Sequence, residues 1–406
     1  MVADLSTWDE LLKENYSDER IADKITIECP TWAKARKKTN FYGRRKIVPV
    51  KYQHNEGIGA TVAAAKAAIS STKAKDFAIY RKKQFGLIRL DRELLKVAKV
   101  DRYAFLEAAD QEADGTENRL VARLCAQLFG GYGGAIGKLD GSCNVATPNL
   151  VLDNYLDAIK IKPGMQLEAD TVNGGGAVEA GYVTVSAVNE QTGAITLTGN
   201  GTAGIGTLTN VMYLFPRGQY DLAPMGFSDF NPTTVPGGAD NFCGVNRSVA
   251  PVQLSGVRAT ADGSTVEDAL IVWLMNWWKF GHFDAVILDS GHGGTLLREL
   301  KARGIYNPSD NSTAKVGFQK LMLSVPVQSG SIEIIIDPYQ PNTRAQFVRW
   351  DGWAIESADQ APHLQADEKT GYIAFPVDGE DQVEMRLAAY WAPVVYDPTS
   401  LGCMIW

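Results

Sequence analysis

The residues of this 406-residue chain best placed to do chemistry lie in one string, AVILDSGHGG, at positions 285–294. A buried-type strand there runs into a glycine turn that carries His292. A hydrolytic zinc centre needs three protein ligands and one open position, commonly with a carboxylate close by to handle protons. The chain has four histidines, His54, His282, His292 and His363, and none of the others sits in a companion motif. Glu299 follows His292 by seven residues along a short helix, close to it in sequence. Ser290 is not set in a GxSxG elbow, and no GxGxxG or GxxxxGK[ST] gives the glycines before Thr295 a nucleotide to hold. The five cysteines, Cys29, Cys125, Cys143, Cys243 and Cys403, are odd in number and never spaced as CxxC, which points to a reducing cytosol and no zinc ribbon. No carboxylate stands in an apolar setting suited to acid/base work. The expectation is a protein with no enzymatic activity, no metal and no cofactor.

A second constellation is cationic. Lys34, Arg36, Lys37, Lys38, Arg44, Arg45, Lys46, Arg81, Lys82 and Lys83 are interleaved with Trp32, Phe41, Tyr42, Tyr52 and Tyr80. Such a mixture suits nucleic acid, yet the whole chain is acidic, with a sequence pI near 5.3, and no nucleic-acid motif is present. The charges are also divided along the chain. Residues 1–100 hold 21 Lys and Arg against 12 Asp and Glu, a net of +9, and residues 101–406 hold 19 against 35, a net of −16. A basic arm joined to an acidic body can attract further copies head to tail, because complementary potentials steer encounter and set register.

The elements that must position these residues follow from periodicity. The first forty residues contain a short amphipathic piece, with Leu5, Trp8, Leu11 and Leu12 on one side, and then the basic run KARKK. RRKIVPVKYQ and FAIYRKKQFGLIRL are β-rich and joined by GIGATVAAAKAAISS, so 44–90 is predicted to be a long hairpin-like excursion. An isolated two-stranded ribbon is marginal in water and needs a surface to lie on. The strongest helical signal covers 101–129, with Leu120, Leu124 and Leu128 on its apolar stripe, Gly115 as a point of breaking or bending, and GGYGG as its stop. Short alternating runs predict a small all-β module at 162–216. Beyond it a helix opened by Ser264 and Glu267, the strand FDAVILD and the helix TLLRELKARG form an α/β stretch, and the last eighty residues are β-rich and acidic. The start has no cationic segment followed by an apolar one, and no apolar run reaches about eighteen residues, so neither a secretion signal nor a membrane span is expected.

AVILDSGHGG is similar to the first motif of the zinc-dependent N-acetylmuramoyl-L-alanine amidases, in which the histidine after the strand is a metal ligand. Only His292 matches. That likeness implies the alternative function, a zinc amidase using His292.

The order of the segments carries a wider resemblance. A flexible arm, a basic β-excursion, a long helix stopped by glycines, an α/β region and a closing acidic β-segment resemble the major capsid proteins of tailed bacteriophages, the Hong Kong 97-type α+β fold. The resemblance implies an N-terminal arm at 1–43, an E-loop at 44–90, the spine helix and first part of a peripheral domain at 91–161, an inserted β-barrel at 162–216, an axial domain at 217–328 and a return to the peripheral domain at 329–406. It implies a structural subunit that assembles as hexamers and pentamers into the icosahedral head of a virion. Implied partners are further copies of the chain, separate scaffolding, portal and decoration proteins, and non-specific contact with packaged DNA, with no membrane. Arg44, Arg45, Lys46, Arg81, Lys82 and Lys83 would meet acids of a neighbouring subunit. Leu120, Leu124 and Leu128 would hold the spine helix to the closing sheet. Some family members cross-link subunits through an E-loop lysine. Lys51, Lys66, Lys73 and Lys75 lie in that region without an identifiable partner, so no cross-link is expected. The start lies almost at the arm, so scaffolding is expected to be a separate protein. An encapsulin-like cargo shell shares the fold and is a further alternative.

Overall fold

The computed structural model describes residues 24–25, 27–91, 102–263, 265–280, 282–302, 321–324, 331–366, 371, 373–377, 379 and 382–406. The amphipathic piece at Leu5–Leu12, Ser264, and the acids Asp367, Glu368, Asp378, Glu380 and Asp381 lie outside the described residues.

One uninterrupted helix, Arg102–Phe129, runs through Gly115 without a break. A single interior glycine costs only about 1 kcal/mol relative to alanine, and the packed stripe downstream outweighs that. Leu120, Leu124 and Leu128 are buried in the same cluster as Met385, Leu387 and Trp391. The helix stops where expected, at GGYGG, with Gly134 at φ +82°, a left-handed conformation that glycine adopts without a Cβ penalty.

Beneath the helix lies a six-stranded sheet organised around the long strand Gln382–Val395. Lys82–Asp91 pairs antiparallel with it, from Lys82 opposite Trp391 to Asp91 opposite Gln382. The run 77–90 is therefore two elements and not one arm of an excursion. Lys73–Tyr80 pairs with Arg45–Gln53 to form the ribbon, the chain turns at Arg81, and the following strand joins the sheet.

A second six-stranded sheet is mixed, ordered Val257–Thr260, Leu401–Ile405, Arg344–Val348, Ala285–Leu288, Ser331–Ile336 and Leu321–Ser324. Its central strand AVIL is buried on both faces: Val286 and Leu288 pack with Leu270, Trp273 and Phe347, while Ala285 and Ile287 face the main core. The Trp273 and Phe347 rings stack with centroids 4.0 Å apart. The helix Val266–Trp277 is capped by Thr265, whose hydroxyl accepts from Asp268 N, in place of the predicted Ser264. The closing segment does not return to one sheet. Its strands at 331–336, 344–348 and 401–405 stay in the mixed sheet, and those at 353–357, 363–364, 374–376 and 382–395 join the other.

A third sheet, with its own hydrophobic cluster from Ile136 to Leu214, forms the all-β module. It begins earlier than the sequence pattern indicates, because Gly137–Lys138 and Asn149–Val151 supply two of its strands.

The described part of the N-terminal segment is packed on its own chain. Trp32 meets Trp391 edge to face at 4.7 Å, and Thr31 Oγ1 donates to buried Asp337 at 2.8 Å. Lys37–Lys38 adds a short parallel strand beside Trp353–Ser357. No helix among the described residues is long and apolar enough to cross a membrane.

Candidate assembly interface

The ribbon has two unlike halves. At its root, alternation turns Val48, Val50, Phe77 and Ile79 inward, all nearly inaccessible, with Phe77 edge to face on Phe242 at 5.9 Å and Ala78 N donating to Cys243 O. Beyond Val50 and before Phe77 no residue is buried. The tip is nevertheless ordered by local hydrogen bonds. Asn55 Oδ1 accepts from Gly57 N and Ser70 N, and Thr61 caps the short helix Val62–Ala67 by accepting from Ala64 N. It exposes Ile58, Val62 and Ile69 at 81, 73 and 63%. Aliphatic side chains so exposed on a preformed knob mark an interaction surface. The signal was present in GIGATVAAAKAAISS, where these are the only large aliphatics among small residues.

The six cations singled out from the sequence gather near the ribbon's root. Arg44, Arg81 and Lys83 surround one depression. Three of the six are engaged with their own chain. Lys46 Nζ bonds both oxygens of wholly buried Glu356 at 2.7 and 2.6 Å. Arg81 donates to Phe41 O at 2.8 Å, and Lys82 to Asp221 O at 2.7 Å. Burial pushes the Lys82 ammonium below its ordinary range, only partly offset by Asp221. Lys83 lies exposed beside the Tyr390 ring, 5.7 Å from its centroid. Arg44 and Arg45 are exposed and form no ion pair among the described residues.

The same internal use holds for the acids of the closing segment. Glu356 also meets the Tyr396 hydroxyl, which Lys38 Nζ contacts at 2.8 Å while lying over the ring. Burial, then the hydrogen bond to Glu356, pushes the Tyr396 phenol up. Glu384 is held by Arg89 and Arg386, and Lys34 pairs with Glu333. Much of the charge separation along the sequence is thus neutralised within one molecule. Tyr390 and Tyr396, which seat these cations, carried no signal in the linear pattern.

His292 is a packing residue. Its ring stacks on Trp406 with centroids 4.1 Å apart, and Nδ1 lies 2.6 Å from Asp289 Oδ1. Burial raises the Asp289 carboxyl, but the bonds from His292 and the backbone N–H groups of residues 291 and 292 outweigh it and hold the pKa low. Glu299 accepts from Val266 N and Glu267 N, capping the neighbouring helix. Among the described residues no three His, Cys, Asp or Glu side chains come together as a metal site.

No protein-family model matches the sequence, and no curated protein is similar to it. Solved structures are similar in fold. The capsid of cyanophage A-1(L) matches with a TM-score of 0.51 at 12% identity, covering 93% of this chain and 92% of that one. The capsid of a native GTA particle matches at 0.45 and 12%, covering 94% and 90%. The holo-SrpI encapsulin complex from Synechococcus elongatus PCC 7942 matches at 0.39 and 9%, covering 91% and 84%. At such identities the cyanophage likeness speaks for the fold alone. The chain has the α+β fold of the phage capsid proteins, the Hong Kong 97 type that the order of its segments resembles.

Proposed function

We propose that this chain is the structural subunit of a closed shell, a major capsid protein that assembles through hexamers and pentamers around a phage genome. The observation that carries the reading is the outer half of the ribbon, a preformed knob without a buried side chain that exposes Ile58, Val62 and Ile69. Two strands alone are marginal in water, and a neighbouring copy would supply the missing surface. The contact is head to tail, and such heterologous contacts close into rings when the rotation permits. Arg44, Arg45 and Lys83 are the cations left to steer the ribbon onto an acidic neighbour, while Lys46, Arg81 and Lys82 fix its root. Catalysis has no part in this mechanism.

Negative-stain electron microscopy of the purified chain tests the proposal, with closed shells built of five- and six-fold units as the expected result. A protein that stays monomeric at high concentration with its ribbon tip protected from hydrogen exchange overturns it. The ratio of ultraviolet absorbance at 260 and 280 nm distinguishes a genome container from a shell for protein cargo.

A further inference from the structure

At the ribbon's root is a concavity walled by cations. Arg44, Arg81 and Lys83 surround a depression of about 460 Å³, and the same three with Lys82 line an adjoining one of about 550 Å³. Among the described residues no Asp or Glu lines either depression, and none of the four cations forms an ion pair. Arg81 and Lys82 donate only to the backbone carbonyls of Phe41 and Asp221, while Arg44 and Lys83 are exposed. The Asp221 carboxylate, whose charge reaches Lys82, accepts from Gly175 N and stays outside both linings. The fold holds these cations together. Arg81 and Lys83 lie against one ring, 5.5 and 5.7 Å from the Tyr390 centroid, and Arg81 N donates to Arg44 O at 3.2 Å. A neutral group adds to the same wall. Gln84 lines the larger depression, is 3% exposed, and its side-chain amide makes no hydrogen bond among the described residues. Such a buried amide is costly until a partner reaches it.

A cleft lined by one sign of charge focuses its field and concentrates counter-ions. A single phosphate brings only about two negative charges at neutral pH, too few for four cations. A peptide carries its carboxylates on separate side chains and cannot bring as many into so small a volume. Linked phosphates can, since each offers several acceptor oxygens and arginine forks fit them bidentately. We propose that this concavity binds an oligophosphate, free or carried on a nucleoside, with Arg44, Arg81, Lys82 and Lys83 on its oxygens and Gln84 as a neutral donor. Desolvation holds the Lys82 ammonium below its ordinary range, and a bound anion would offset that loss. Tyr80 and Phe85, 41 and 47% exposed, border the larger depression and offer ring surface to a base. The site lies within one subunit, so this proposal and the assembly of shells fail separately.

Isothermal titration calorimetry on dilute full-length protein at fixed ionic strength tests it. Inorganic tripolyphosphate is expected to bind at one equivalent, at least tenfold tighter than inorganic phosphate. R44Q/K83Q is expected to weaken that binding at least tenfold, whereas K73Q/K75Q, which removes the same charge from an exposed part of the ribbon, leaves it unchanged. Arg44→Gln alone is expected to weaken it about threefold and carries the same reading should the double variant misfold. ATP tighter than tripolyphosphate identifies a nucleotide with its base on Tyr80 and Phe85, and equal affinity identifies the phosphate chain alone; either supports the site. Equal weakening in R44Q/K83Q and K73Q/K75Q overturns the proposal, because net charge alone would then account for the binding. So does tripolyphosphate binding no tighter than phosphate, or a polyglutamate peptide that binds as tightly, which would assign the concavity to an acidic protein segment.

Discussion

Lys46 and Glu356 are joined across the ribbon's root, the ammonium 2.7 and 2.6 Å from the two oxygens of a carboxylate with no exposed surface. Removing one partner of a buried pair strands the other charge, whereas replacing both by apolar groups relieves the desolvation cost. Lys46→Met is expected to cost about 3 kcal/mol, and K46M/E356L distinctly less. Urea unfolding of the two variants checks the order. A double variant as costly as the single one would mean that the pair does not anchor the ribbon.

The tip contributes to no core within the subunit. The triple variant I58D/V62D/I69D is expected to keep the thermal midpoint of the parent while forming no shells by electron microscopy. Charge reversal of Arg44, Arg45 and Lys83 is expected to slow assembly, followed by light scattering, and to flatten its dependence on salt, since exposed charges act through a screened field. Assembly unchanged in both variants would remove the ribbon from the interface.

Asp229 is pushed up to about 7 by burial, against the opposing hydrogen bond from Tyr132 N at 2.6 Å and the charges of Arg247 and Arg344. Its folded pKa lies above the unfolded value, so the stability held by the neutral carboxyl is complete below about pH 4 and is lost as pH rises through 7. Asp229→Asn cannot ionise but can still accept from Tyr132 N. The stability of the parent relative to this variant is expected to fall between pH 4 and 7 and then level off. Thermal midpoints across that range measure it, and a constant difference would refute the assignment.

His292→Ala should lose the stack on Trp406, worth about 1 kcal/mol for an aromatic pair, while His292→Phe retains most of it. Elemental analysis is expected to find no stoichiometric zinc in the parent. Zinc at one equivalent, lost in His292→Ala, would restore the amidase alternative.

Local signals were sufficient for the parts list. Hydrophobic periodicity placed the helix Arg102–Phe129 and the β-character of its neighbours, because a stripe of Leu120, Leu124 and Leu128 needs only its own segment to be recognised. Glycines at 130–134 mark a stop for the same reason: the preference is intrinsic to the backbone. The order of these segments was enough to suggest the fold class. Register and partnership were another matter. Whether Lys82–Asp91 extends the ribbon or joins a sheet depends on Gln382–Val395, some three hundred residues away, and alternation within a strand names the covered face but not the strand that covers it.

Charge shows the same limit. The division into a basic and an acidic part is a property of composition and was legible at once, but it could not say whether Lys46 would meet an acid on its own body or on a neighbour's. Folding brings Glu356 beneath Lys46, Glu333 to Lys34 and Tyr396 to Lys38, and so decides which cations are consumed internally and which remain outside. Coulomb attraction depends on distance in space, and only the packed chain sets that distance.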